Sequence, residues 1–305
     1  MTADLNHKEH GRKELGLYLG LLTHRNSKYP KAPFLDLFRK TFDIGKLLNF
    51  DVSNSIIEEN PYSAKDVALI DLILARLYEP LLHRNWSSYL ANEKIRRFNK
   101  NNLRIAFDSL HYYKMLFKSD FRTAERIRYS RILNINSGYT NLLNDFLSSG
   151  KIFGLIFEDD AFFETSSELI NEIFKLLKHA ASLNIKSFFI DISDSFTFEE
   201  LGVEHLVETN VHEEKFETFF GSTIRKASVQ FSNTTCAVNY NREKALQLHK
   251  GVRNLSTKRG KRITPMDWSF NLVLMDMAKA NIPLQCFHLD PGMFTQSSLK
   301  HINQE

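Results

Sequence analysis

Residues 152–165 read Ile-Phe-Gly-Leu-Ile-Phe-Glu-Asp-Asp-Ala-Phe-Phe-Glu-Thr, and this stretch decides the fold. An apolar run, Ile152 to Phe157, leads straight into three consecutive carboxylates, Glu158, Asp159 and Asp160. A short apolar run with β-branched and aromatic members is the pattern of a buried strand. Three acids in a row at its end repel one another unless a positive charge neutralises them. Carboxylate oxygens are hard ligands that suit Mg2+ or Mn2+. In open α/β sheets, ligands gather at the carboxyl ends of strands. The stretch therefore predicts a metal-bearing site at the end of a core strand.

Strand and helix signals alternate on both sides of it. Residues 15–23 read as the first core strand, with Gly16 and Gly20 permitting close backbone approach. Residues 31–42 read as a helix, because Phe34, Leu35, Phe38 and Phe42 recur at helical spacing and Pro33 suits a first turn. Ser63 and Asp66 form a capping pattern ahead of a stripe of Val67, Ile70, Leu74 and Leu77. Aromatic-rich helical segments continue beyond it, so about 51–128 is expected to be a helical insertion. Downstream, helices are expected at 140–147, 166–183, 242–249 and 267–280, and strands at 187–192, 234–239 and 284–289. This alternation predicts an α/β fold with a mostly parallel sheet flanked by helices. Residues 1–14 read as a disordered tail, and 15–305 as a single domain.

Composition excludes several classes. The 305 residues are 43% hydrophobic and 25% charged, as in ordinary globular chains. A net charge of +4 makes no general case for nucleic-acid binding. Two cysteines, Cys236 and Cys286, cannot form a disulfide framework and point to a reducing compartment. No apolar run approaches 18 residues, and no signal-peptide pattern is present, so a cytoplasmic location is expected. A peripheral contact at the inner face of a membrane stays open.

The motif Leu-Ile-Phe-Glu-Asp-Asp-Ala-Phe-Phe, 155–163, resembles the Glu-Asp-Asp signature of glycosyltransferase family 25, the lipopolysaccharide-type and collagen-type galactosyltransferases. Three other segments agree with that family in order and spacing. They are Ser137 to Gly150, Thr-Pro-Met-Asp-Trp at 264–268, and Pro-Gly-Met-Phe-Thr-Gln-Ser-Ser at 291–298. The family usually carries Ser-His where this chain has Gly138-Tyr139. The resemblance implies a nucleotide-sugar-binding fold of the GT-A type, with a Rossmann-like sheet. It also implies a metal-dependent, inverting transfer of a sugar, such as galactose, from a nucleotide-diphospho-sugar, the UDP-linked kind being favoured. The acceptor would be a glycan, lipid-linked glycan or lipopolysaccharide. A binding protein that kept the fold, and a metal-dependent phosphohydrolase, are the alternatives. The haloacid-dehalogenase type of phosphohydrolase needs Asp-x-Asp, a spacing that Asp159-Asp160-Ala161 lacks.

Individual residues follow from the same logic. Asp159 and Asp160 are candidate metal ligands, with Glu158 toward the cofactor or orienting its neighbours. Asp267, between Pro265 and Trp268, is the candidate base for the acceptor hydroxyl. An aspartate there also suits a helix N-terminus. Thr23 and Arg25, after the first strand, are candidate donor-binding residues. His288 could add a metal ligand. The segment 250–262 carries six basic residues and reads either as a solvated loop or as a lid over a diphosphate. Arg122, Arg126, Arg128 and Arg131 form a second basic group.

Overall fold

The apolar run before the carboxylates forms a strand near the middle of a mixed sheet. A computed structural model describes residues 15–24, 27–58, 60–78, 102–182, 185–201, 203–208, 222–229, 231–232, 234–282 and 285–297. In chain order these give β1 (Leu15–Leu22), α1 (Ala32–Leu47), β2 (Phe50–Ile57), α2 (69–78), α3 (Asn102–Leu116), α4 (Ser119–Ser148) and β3 (Phe153–Glu158). There follow β4 (Ala161–Phe162), α5 (Ser167–Ser182), β5 (Phe188–Asp191), α6 (Phe198–Leu201), β6 (Val207–Glu208) and β7 (Thr223–Ala227). The last elements are β8 (Ala237–Asn241), α7 (Arg242–Ser256), α8 (Met266–Lys279), β9 (Gln285–Asp290) and β10 (Thr295–Gln296).

Eight strands form one sheet in the order β2-β1-β3-β8-β5-β9-β7-β6. β1 pairs in parallel with β2 and β3, and β5 with β9. β8 runs antiparallel to both β3 and β5, and β7 to both β9 and β6. Only β8 and β7 therefore oppose the common direction, and the sheet is mostly parallel in strand sense. β4 and β10 form a separate antiparallel ribbon.

Period-two alternation assigns the two faces. Leu17, Leu19 and Leu21 of β1, with Phe153, Leu155 and Phe157 of β3, pack with Phe34 and Phe38 of α1 and Ile170 and Phe174 of α5. The alternate residues, Tyr18, Leu22 and Ile156, meet Tyr139, Leu142 and Phe146 of α4 and Phe270 of α8. Helix α4 lies close to the sheet because two positions lack a side chain. A Cβ on Gly154 would come within 2.7 Å of the Phe146 ring, and one on Gly138 would strike Leu22. Tyr139 is fully buried, with its hydroxyl 3.0 Å from that of Tyr240. The Gly138-Tyr139 pair thus serves helix–sheet packing.

Two expectations need correction. Residues 51–57, expected to open a helical insertion, belong to edge strand β2, which runs in register with β1, Leu15 opposite Phe50. Half of the segment, Phe-Asp-Val-Ser-Asn-Ser-Ile-Ile, is polar, so this edge strand shows little hydrophobic alternation. The short helix expected at 140–147 is the end of the 30-residue helix α4. Its polar, aromatic-poor middle conceals the continuity. Residues 1–14 lie outside the described part. Among the described residues no helix is long and apolar enough to cross a membrane.

Candidate functional site

Register brings the carboxylates to a strand end shared by several elements. Leu22 of β1 lies opposite Glu158 of β3, so the next residues, Thr23 and Asp159, emerge side by side. The Thr23 hydroxyl donates to Asp159 Oδ2 at 2.7 Å. Antiparallel β8 delivers its beginning to the same edge, where Glu158 N–H donates to Cys236 O at 2.9 Å. The Thr235 hydroxyl there donates to Glu158 Oε1. The β4–β10 ribbon folds Gln296 back so that its Nε2 donates to Asp160 Oδ2 at 3.0 Å, and Ser297 N–H donates to Asp160 O at 2.8 Å.

Each carboxylate is therefore held by a neutral donor. Among the described residues no Lys or Arg forms a salt bridge with Glu158 or Asp159. The electrostatic consequence falls on Glu158, whose carboxyl is pushed up to about 8. Burial is the main cause, followed by the Asp160 charge, with Asp267 and Asp159 adding to it and the Thr235 bond opposing it. Asp267 sits in the first turn of α8. Burial raises its carboxyl above the ordinary aspartate value, against backbone N–H bonds from Trp268 and from Asp267 itself. No side chain caps this helix. Its start is fixed instead by Asn136 of α4, which donates to Arg262 O at 3.1 Å and Thr264 O at 2.8 Å.

Two clefts meet at the cluster. The larger, about 620 Å³, is lined by Thr23, His24, Lys28, Tyr29, Arg131 and the three carboxylates, among others. The smaller, about 290 Å³, holds Asp267, Thr235, Gln296, Asn136 and Glu158. Glu158 and Ile135 line both, so the base candidate and the acidic triplet share one continuous depression. Lys28 and Arg131 place cations in the wall of the cleft that holds the carboxylates. Arg131 is exposed and has no intramolecular partner among the described residues.

The structure brings Glu158, Asp159, Asp160, Thr23 and Asp267 together. It does not bring His288 to them. That imidazole is buried, stacked on Phe231 at 4.4 Å, edge-on to Phe189 and Phe198, with Nε2 3.2 Å from Cys286 Sγ. Burial holds it neutral, down to about 3. It lines neither cleft, and its ring is a core element rather than a ligand. Arg25 lies outside the described residues. Thr23 lines the cleft, but its hydroxyl is spent on orienting Asp159. Thr235, Gln296, Lys28 and Arg131 were not singled out individually from the sequence. Gln296 and Thr235 become legible only once the ribbon and the antiparallel strand are known.

These residues suit one kind of metal site and not another. Among the described residues no group of three His, Cys, Asp or Glu side chains is gathered to hold one. An all-protein cage therefore does not fit. A cation held by one or two carboxylates, with substrate phosphates and water completing its shell, does fit, and this is how Mg2+ is commonly bound. Asp160 and Asp159 are the residues that would hold it.

The basic segment is no lid. Arg262 Nη2 lies 2.5 Å from Asp71 Oδ2, and Arg262 Nε donates to Oδ1 at 3.2 Å. Arg259 Nη1 donates to Oδ2 at 3.1 Å, with the N–H groups of Gly260 and Ala68 each at 3.2 Å. Asp71 is 0% exposed, and these bonds latch the segment onto α2. No known protein-family model matches the chain, and no curated protein matches it at a significant level.

Proposed function

We propose that the protein is a metal-dependent glycosyltransferase that moves a sugar from a nucleoside-diphospho-sugar, UDP-linked, to a glycan hydroxyl, on a sheet of the GT-A type. The observation that carries this reading is the single depression that joins the carboxylate triplet, two cations and a raised-pKa aspartate. A diphosphate with a divalent cation complements such a surface. Asp159 and Asp160 would hold the cation, while Lys28 and Arg131 would donate charge-assisted hydrogen bonds to phosphate oxygens.

The roles follow from position. Thr23 and Gln296 hold Asp159 and Asp160 in place, and Thr235 holds Glu158. A bound Mg2+ or Mn2+ would supply Lewis-acid stabilisation of the departing diphosphate. Asp267 accepts the proton of the acceptor hydroxyl, and its raised pKa makes it a stronger base than an ordinary aspartate. The acceptor oxygen forms a bond to the anomeric carbon. The bond from that carbon to the diphosphate oxygen breaks, and its electron pair leaves with the nucleoside diphosphate. One displacement inverts the anomeric centre.

Thermal unfolding tests the reading. Mn2+ and UDP together should raise Tm by more than the sum of their separate effects, because each completes the other's site. Stabilisation of about 2.7 kcal/mol accompanies a hundredfold excess over Kd. Asp160→Ala should abolish the joint effect while leaving the Tm of the free protein within a few degrees. The absence of any shift with UDP, GDP or CDP in the presence of Mn2+ overturns the donor site.

A further inference from the structure

A second depression, about 550 Å³, lies between α3, the first half of α4 and the segment leading into α8. Ile132 and Pro265 line both this depression and the smaller cleft that holds Asp267. Trp268 lines the second depression, and its chain neighbour Asp267 lines the first. The start of one helix thus faces both spaces.

The lining has a definite chemistry. Tyr112, Tyr129 and Trp268 supply aromatic faces beside polar side chains. These polar groups are already ordered. The Tyr112 hydroxyl donates to Glu125 Oε2 at 2.8 Å, Arg128 lies 3.7 Å from Glu125, and the Arg76 guanidinium sits 5.7 Å above the Tyr112 ring. Two arginines, Arg76 and Arg128, face two acids, Asp108 and Glu125, so the formal charge of the lining cancels. Aromatic faces with fixed hydrogen-bonding groups and no net charge suit a neutral polyhydroxylated ligand. The size falls within the range of ligand-binding clefts.

At the junction, the Asn136 carboxamide oxygen has no hydrogen-bond partner among the described residues. Its amide nitrogen is engaged by two carbonyls, which fixes the orientation. Asn136 is 9% exposed and lines the cleft beside Asp267. A hydroxyl entering from the second depression finds an acceptor there next to the base.

We infer that this depression binds a neutral oligosaccharide, whose leading hydroxyl reaches Asp267 past Asn136 and Pro265. The inference rests on the transferase reading for the fate of that hydroxyl, and on the depression itself for the class of ligand.

The protein contains two tryptophans, Trp86 and Trp268. A Trp86→Phe variant therefore reports from Trp268 alone. Neutral and sialylated or phosphorylated oligosaccharides on a glycan array select a probe, which is then titrated against Trp268 emission. The expected result is a saturable emission change with a neutral oligosaccharide and roughly tenfold weaker array binding for Trp268→Ala. The joint Mn2+–UDP shift should be retained in Trp268→Ala. Should Trp268→Ala not fold, the emission titration decides alone. No response at Trp268 to any neutral oligosaccharide, or binding confined to anionic ones, overturns the inference. The two readings fail separately. Glycan binding without a Mn2+–UDP shift upholds the glycan site and removes the transferase. A shift without glycan binding removes the glycan site alone.

Discussion

The acidic triplet at the end of β3 and the buried aspartate of α2 treat charge in opposite ways. Asp71 is wholly buried, yet its carboxyl stays below the ordinary value. Burial pushes it up, and hydrogen bonds from Arg262 and Gly260 N–H more than offset that. Glu158 is driven up to about 8, because burial and the Asp160 charge meet only a hydroxyl donor. One region answers its charge with arginines, and in the other Glu158 and Asp159 are met by hydroxyl donors. Charge answered by arginine marks a structural latch, and on the proposed reading carboxylates met by hydroxyls at a strand end mark a place for a ligand.

That contrast can be tested from its largest expected effect downward. Asp267→Asn should lower turnover, read as UDP released per minute from a UDP-sugar with acceptor, by roughly 10²- to 10⁴-fold. Its urea midpoint should barely move. Near-normal turnover would reduce Asp267 to a helix-terminal charge.

Asp71→Ala should do the reverse. It takes the acid from a half-buried Arg262 guanidinium and should cost about 1–3 kcal/mol in urea unfolding, with joint Mn2+–UDP binding kept by the molecules that remain folded. A loss below about 1 kcal/mol would show that the arginines rehydrate and the latch is ornamental.

Glu158→Gln probes the cleft by pH. A carboxyl raised from 4.5 to about 8 contributes its full stability below pH 4.5 and loses it as pH rises through 8. Glutamine does not titrate. In EDTA the variant should match the wild type at pH 4 and gain on it steadily to pH 8, by an amount on the order of 1 kcal/mol or more. A constant difference across that range would break the comparison.

The smallest effect belongs to Thr23→Val, which removes one hydroxyl donor from Asp159. A loss of about 0.5–1.5 kcal/mol is expected, together with weaker joint Mn2+–UDP stabilisation. An unchanged Mn2+–UDP shift would mean that the Asp159 orientation does not matter to the cation.

Much of the fold was legible in the residues because local pattern and burial coincide there. The run Phe153 to Phe157 is a strand, and the stripe Leu169, Ile173, Leu176, Leu177 is a helix face, as periodicity requires. Residues 51–57 were misread because an edge strand with polar Asp51, Ser53, Asn54 and Ser55 buries too little to show alternation. The charged segment 250–262 was ambiguous for another reason. A run of like charges looks the same from the sequence whether solvent or one distant Asp71 neutralises it.

The sequence alone determined that three carboxylates stand at the end of a buried strand, that helices and strands alternate around it, and that an aspartate and a tryptophan open a late helix. These are short-range facts, set by the periods of helix and strand and by which residues water excludes. Only the tertiary structure decided which charges are answered. The register of β1 and β3 sets Thr23 against Asp159, antiparallel β8 sets Thr235 against Glu158, and α4 carries Asn136 to the start of α8. It also set His288 among aromatic rings, away from the carboxylates. Such pairings join residues up to 136 positions apart, and a one-residue change of strand register would turn each side chain to the other face.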